Sequence, residues 1–293
     1  MHETAPFSTV ALLARRAGLS DSLFSAYWRD VHGTLATRIP GFWSYVQNHL
    51  ALHGPLPQDA EVMQVDGLAE VLFLSEADRA GLIHSEVTGL IQRDETNVFS
   101  RTLLYSLAAG ASHTRRGAGV PQVRHPTAAF VLVLRSPAGC PATEVAQALE
   151  HGVLPALLAS PGLEDLRVHL LTSGDPSLWT TAPGVDNTQR GPQNSVALQA
   201  GWADIAQADA ALATVRQHLH DTFADLTSYR VKARYEMVAE GRPTQLGLRG
   251  LDALQTIEAA GADNQKEAAV LQVLFGAAGR VGGHPTDSAA SAG

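Results

Sequence analysis

Three side chains that can hold or move a proton near neutral pH lie close together in the chain: His32, Tyr45 and His49. A neutral imidazole accepts a proton near pH 7, and a second imidazole can return it. A phenol can donate a hydrogen bond to a carbonyl, or to the enolate that develops from it. This set suits proton transfer beside a carbonyl: isomerisation, dehydration, cyclisation or C–C lysis. Trp28, Trp43 and Gln47 share the stretch and are read as the groups that hold a substrate. The competing reading makes Trp28 and His32 a helix-packing pair, with His32 bonded to a backbone carbonyl.

Positioning these groups takes one helix and one strand. Ser20 is an N-cap residue. Phe24, Tyr27, Trp28, Val31, Leu35 and Ile39 then recur at helical spacing until Pro40-Gly41 stops the run. Residues 42–50 alternate as a strand, with Trp43, Tyr45, Gln47 and His49 on one side. Val46, Asn48 and Leu50 take the other side, where Asn48 reads as a structural contact. The helix is expected to carry His32 over the Tyr45–His49 face, so that the three groups meet in one cleft.

Around this unit, residues 7–15, 67–75 and 101–107 read as strands and 76–100 as a helix. The order is β-α-β-β-α-β, the ferredoxin-like arrangement. Residues 108–126 are rich in Gly, Ala and Arg and read as a linker. A second copy follows. Its strands are expected at 128–135, 166–171, 195–202 and 228–238, and its helices at 142–159 and 206–226. His151-Gly152 stands against His32-Gly33, Pro161-Gly162 against Pro40-Gly41, and His169 against His49. The copy lacks the Tyr-Trp pair, has Leu166 where Tyr45 stands, and carries an insert at 174–194, which marks it as degenerate. The expected organisation is thus a domain at 1–107, the linker, a second domain at 127–240, a helical extension at 241–276 and a disordered tail at 277–293. Two helices, 250–260 and 264–275, are expected in the extension.

The run YWRDVHGTLATRIPGFWSYVQNHL, residues 27–50, resembles the signature of the EthD family; DGLAEVLFLSEAD (66–78) and RDETNVF (93–99) fit the same pattern. The resemblance implies an α+β fold in which two ferredoxin-like repeats form a barrel of the dimeric α+β type, with Tyr45 and His49 pointing into the barrel interior. It also implies a cofactor-independent enzyme acting on a small aromatic or carbonyl-containing molecule. In that scheme His49 is the general base, Tyr45 the carbonyl-polarising donor, and His32 a second acid/base or an orienting group. Relatives of this kind are linked to polyketide cyclisation, muconolactone isomerisation and quinone-forming oxygenation. The alternatives are a cofactor-free monooxygenase, a non-catalytic small-molecule-binding accessory protein, and a haem enzyme using His151 or His169.

Composition narrows the field. A net charge of −8 without a long Lys/Arg run disfavours nucleic acid and anionic membranes as partners. A single cysteine, Cys140, permits no internal disulfide and fits a reducing compartment. The N-terminal residues lack the basic and apolar regions of a signal peptide, and no apolar run is long enough to span a bilayer. A cytoplasmic protein with a small-molecule substrate is expected, and a homodimer is compatible with the extra helices. No metal site is expected: HExxH spacing and a thiolate pair are missing, and His218 and His220 lie on different faces of a helix. Asp94 and Glu95 read as a solvated helix face, from which one carboxylate could orient a histidine.

Overall fold

The computed structural model describes residues 7–54, 63–117, 127–171, 179–188, 193–217, 219 and 222–275. In strand β1 (Phe7–Arg15), Val10 and Leu12 face one way and Thr9, Ala11 and Leu13 the other, and all five are buried. A strand buried on both faces needs a layer on each side. The fold supplies helices on one and the opposite half of the same curled sheet on the other.

The first set continues with a helical segment at 21–36, β2 (Ser44–His53), β3 (Gly67–Phe73), the helix Thr88–Val98 and β4 (Phe99–Ser106). A short strand, β5 (Ser112–Arg116), comes next. The second set is β6 (Ala128–Ser136), a helical segment at 142–158, β7 (Leu163–Leu170), β8 (Gln193–Trp202), the helix Ile205–Gln217 and β9 (Asp225–Ala239). Neighbours run β4-β1-β3-β2 in the first set and β9-β6-β8-β7 in the second, the same antiparallel order twice. The sets join where β2 pairs with β9, from Tyr45 opposite Val238 to His53 opposite Ser228. One ten-stranded sheet results, with β10 (Arg242–Pro243) as a hairpin return on β9.

The sheet curls so that its inner faces meet. Val10, Leu12, Leu50 and Leu68 from the first set pack with Val131, Val133, Ala197 and Tyr229 from the second. The outer faces are covered by each set's own helices. The repeated α+β architecture expected from the sequence is therefore the one observed.

Details differ. Residues 112–116, expected inside a linker, form β5 on the exposed edge of β7, where Arg115 and Arg116 sit at the new sheet margin. The helix expected over 76–100 is broken into Glu76–Ala80, a 3-10 turn Gly81–His84 and Thr88–Val98. Ser85 is extended between them, and its hydroxyl accepts from the Val87 N–H. The helix expected over 206–226 stops at Gln217. The extension holds three α-helices among the described residues, Gln245–Arg249, Leu251–Ala259 and Ala268–Phe275. The tail at 277–293, parts of the insert and linker, and His218 and His220 lie outside the described residues. No helix among the described residues is long and apolar enough to cross a membrane.

Candidate active site between sheet and helices

Register places side chains of the first set in rows across the sheet. Ser106, Thr9, Val71 and Tyr45 form one row; Leu104, Ala11, Ala69 and Gln47 the next; Thr102, Leu13, Gly67 and His49 the third. These rows face the helices. Tyr45 packs with Ala36 and Ile39, whereas Leu50 on the opposite face belongs to the barrel interior. Tyr45 and His49 therefore face the helices, not the barrel interior expected for them. Both faces of β2 are buried, so alternation shows which residues share a side but not which layer that side meets.

The two central residues of the middle row are alanines, Ala11 and Ala69, which leaves a hollow. A cavity of about 90 Å³ opens over Ala11 and Ala69, with Thr9, Tyr45, Trp28 and His32 among its walls. A water needs roughly 10–15 Å³ on this measure, so the space suits a compact ring. Its lining is mostly apolar, including Phe42, Phe73 and Leu104. The third row is closed by Trp28, whose ring lies on Gly67; a Cβ there would come within 2.5 Å of the indole.

The segment 21–36 brings Trp28 and His32 to the cavity. Ser20 accepts from the Leu23 N–H at 3.1 Å and starts the helix. The turn Trp28–His32 is π-helical, a local widening that turns side chains out of α-helical phase and recurs at functional sites. His32 is 6 % exposed and lines the cavity. Its Nδ1 lies 3.0 Å from Asp94 Oδ2. Asp94 also accepts from the Tyr27 hydroxyl at 2.6 Å and from Asn97 at 2.9 Å. Burial opposes ionisation of Asp94, but the hydrogen bonds from His32, Tyr27 and Asn97 outweigh it and hold the carboxyl at about 2. An ionised Asp94 fixes the proton of His32 on Nδ1, which leaves the Nε2 lone pair as the acceptor. Among the described residues Nε2 has no hydrogen-bond partner.

Tyr45 is 4 % exposed, and burial pushes its hydroxyl up to about 12 against the donors Gln47 and Trp28. It stays a neutral phenol at neutral pH. His49 does not line the cavity: its Nδ1 lies 2.7 Å from Ser25 Oγ and its Nε2 3.2 Å from Gln47 Oε1. Burial, then the nearby Arg29 and Lys232, lower its pKa to about 3. Both nitrogens are occupied, so His49 has no lone pair for a substrate proton, and the general-base role expected for it does not fit the geometry. Trp43 precedes β2 and is 36 % exposed, away from the cavity, so it cannot hold a ligand there. Gln47 is buried beneath the helix and reaches Trp28 and Tyr45 rather than the cavity. Of the six residues singled out, the structure brings Trp28, His32 and Tyr45 to the cavity.

Four further residues complete the walls. Thr9 and Thr102 are buried there, and neither hydroxyl has a partner among the described residues. Glu95, expected on a solvated face, is 3 % exposed. It accepts from the Trp179 indole and from the Ala182 N–H, both at 2.9 Å, and burial raises its pKa. Trp179 comes from the insert of the second set and closes one side of the first set's cavity. Only RDETNVF signalled Asp94 and Glu95, and nothing local signalled Trp179.

The histidines considered for haem do not suit it. His151 is exposed on the outer helical segment. His169 is fully buried on the barrel face, with Nδ1 2.9 Å from Ser112 Oγ and Nε2 2.9 Å from Gln199 Nε2, so neither nitrogen is available as an axial ligand. No group of three or more metal-ligating side chains is present among the described residues.

No curated protein matches the chain. Among solved structures, similarity extends to a candidate monooxygenase from Lactobacillus acidophilus NCFM, with 12 % identity over 81 % of this chain and 97 % of that one, at a TM-score of 0.43. An anthrone oxidase-like protein shares 12 % identity over 80 % and 94 % of the two chains, at 0.46. A mutant chlorite dismutase from Candidatus Nitrospira defluvii shares 10 % over 79 % and 92 %, at 0.37. The segment that supplies His32, Tyr45 and Asp94 is similar to a known family: a family model, the EthD domain, matches residues 16–102.

Proposed function

We propose that the cavity of the first set is the active site of an enzyme acting by acid/base chemistry on a small, largely apolar carbonyl or phenol compound. The observation that carries this reading is His32, which lines an apolar cavity, is held by Asp94 at 3.0 Å, and has no partner on its other nitrogen among the described residues. His32 Nε2 takes a proton from the carbon beside the carbonyl, or from the phenol. Asp94 stabilises the imidazolium that forms, as an orienting carboxylate does. Tyr45 donates to the substrate oxygen as negative charge gathers there. Return of the proton to a different carbon completes an isomerisation, and its return after ring closure completes a cyclisation. His32 thus takes the base role once expected of His49.

The test is deuterium incorporation from D2O into small carbonyl and phenol compounds, acetophenone first, followed by NMR. The wild-type protein should accelerate exchange over buffer, and His32→Ala should remove about 10²–10⁴ of that rate. Exchange that is unchanged in the His32→Ala protein would overturn the assignment.

A further inference from the structure

One group of buried polar side chains beneath the cavity is not used by the acid/base scheme. Gln47 Nε2 lies 3.0 Å from the Trp28 carbonyl and 2.9 Å from Tyr45 Oη. A carbonyl can only accept, so the amide nitrogen must face Trp28, and this fixes the amide orientation. Its oxygen then faces His49 Nε2 at 3.2 Å. An amide oxygen can only accept, so Nε2 carries the proton. The neutral ring therefore has a bare Nδ1, which accepts from the Ser25 hydroxyl at 2.7 Å. Gln47 spends one N–H on Trp28 and the other on Tyr45, so the phenol oxygen accepts. Its own proton has no acceptor among the described residues, and Tyr45 lines the cavity.

We infer that Ser25, His49 and Gln47 form a one-directional hydrogen-bond chain that fixes Tyr45 as a donor into the cavity, so that the site selects ligands presenting an acceptor oxygen. A carbonyl or a phenolate meets that demand. His49 and Gln47 are positioning residues, acting through Tyr45 without touching the ligand. The backbone is built around the chain. A Cβ at Gly33 would come within 2.5 Å of Gln47 Nε2, so glycine at 33 is what lets the amide reach the Trp28 carbonyl.

This inference rests on the cavity being a ligand site, and the test separates the two. Full-length protein is titrated with toluene and with acetophenone labelled with ¹³C at its carbonyl, and the carbonyl stretch of the bound ketone is read by infrared difference spectroscopy. Binding of acetophenone with a stretch lowered from its value in an apolar solvent supports the chain. Binding with an unshifted stretch overturns it and leaves the cavity standing. Binding of neither probe overturns the cavity reading and the chain with it. Tyr45→Phe should abolish the shift and lower the preference for acetophenone over toluene by about tenfold, the scale of one buried hydrogen bond. Gln47→Met keeps the bulk of the side chain and frees the phenol to turn to the Trp28 carbonyl, so the shift should fall while toluene still binds. A shift retained in both variants overturns the inference. The wild-type spectrum decides independently of how well either variant folds.

Discussion

The two sets of strands and helices share one topology, but one is hollow and the other solid. In the first, the middle row opposes Ala11 to Ala69. In the second, the matching pair on β6 and β8 is Leu132 opposite Leu198, both fully buried. Phe130 and Trp202 fill the space above them, ring to ring at 5.9 Å, and the Trp202 indole donates to Ser160 Oγ. The histidines differ in the same sense. His32 lies against the cavity on Asp94, while His151, its counterpart in the sequence comparison, faces solvent. The same backbone plan thus yields either a core or a cavity. The choice is made by the volume of two floor residues and by whether a carboxylate waits across the helices.

That contrast can be broken in either half. His32→Ala should cost the most, about 10²–10⁴ in turnover, measured as deuterium exchange. Leu132→Ala in the solid half should carve a void and destabilise the fold by about 2–5 kcal/mol in denaturant titrations, with ligand affinity in the other half unchanged. Ala11→Leu should do the reverse: acetophenone binding falls by roughly two orders of magnitude by calorimetry, about 2–3 kcal/mol, while the added methyls occupy existing space and leave the melting temperature near that of wild type. Equal loss of stability in the two variants would mean that the halves are not packed differently.

Acid should weaken both halves through their buried histidines. Burial depresses His49 to about 3 and His169 to about 4. Below the ordinary value of about 6.5 the unfolded chain binds protons that the folded chain refuses, so stability is lost as pH falls from about 6.5 towards those values. The slope is at most about 1.4 kcal/mol per pH unit for each histidine. Unfolding curves at pH 7 and pH 5 measure it, and His169→Gln should flatten the dependence by about half. The smallest effect is expected at His151, where replacement by Ala should shift stability by no more than about 0.5 kcal/mol and leave exchange untouched.

Much of the first set was legible because its signals are local. Ser20, the apolar spacing from Phe24 to Ile39 and Pro40-Gly41 mark a helix, and alternation correctly grouped Tyr45, Gln47 and His49 on one side of β2. What alternation could not give was the identity of the layer that side meets, because every residue from Ser44 to Leu50 is buried. The same ambiguity misled the comparison of His169 with His49. One faces the barrel and the other the helices, the outcome of a one-residue slip in a period of two. Trp179 carries no local mark of its role, and Asp94 is marked only by RDETNVF, which does not say which carboxylate meets which histidine. Each acts only through a contact made in the tertiary structure, Asp94 with His32 and Trp179 with Glu95 across the two sets. The strand β5 was hidden because SHTRR gains strand character only by pairing with β7.

The seam between β2 and β9 has a consequence for how such a site can diversify. A homodimer is bound by symmetry: any residue placed in one copy appears in the other. Here the 15-residue strand β9 pairs with β6 over residues 225–230 and with β2 over residues 228–238, so both halves belong to one polypeptide. A single gene can then write alanine under one set of helices and leucine under the other. It can also lend a tryptophan from the solid half to wall the hollow half. The stabilising half can accumulate bulk without closing the site, and the working half can be reshaped without a duplicate penalty elsewhere.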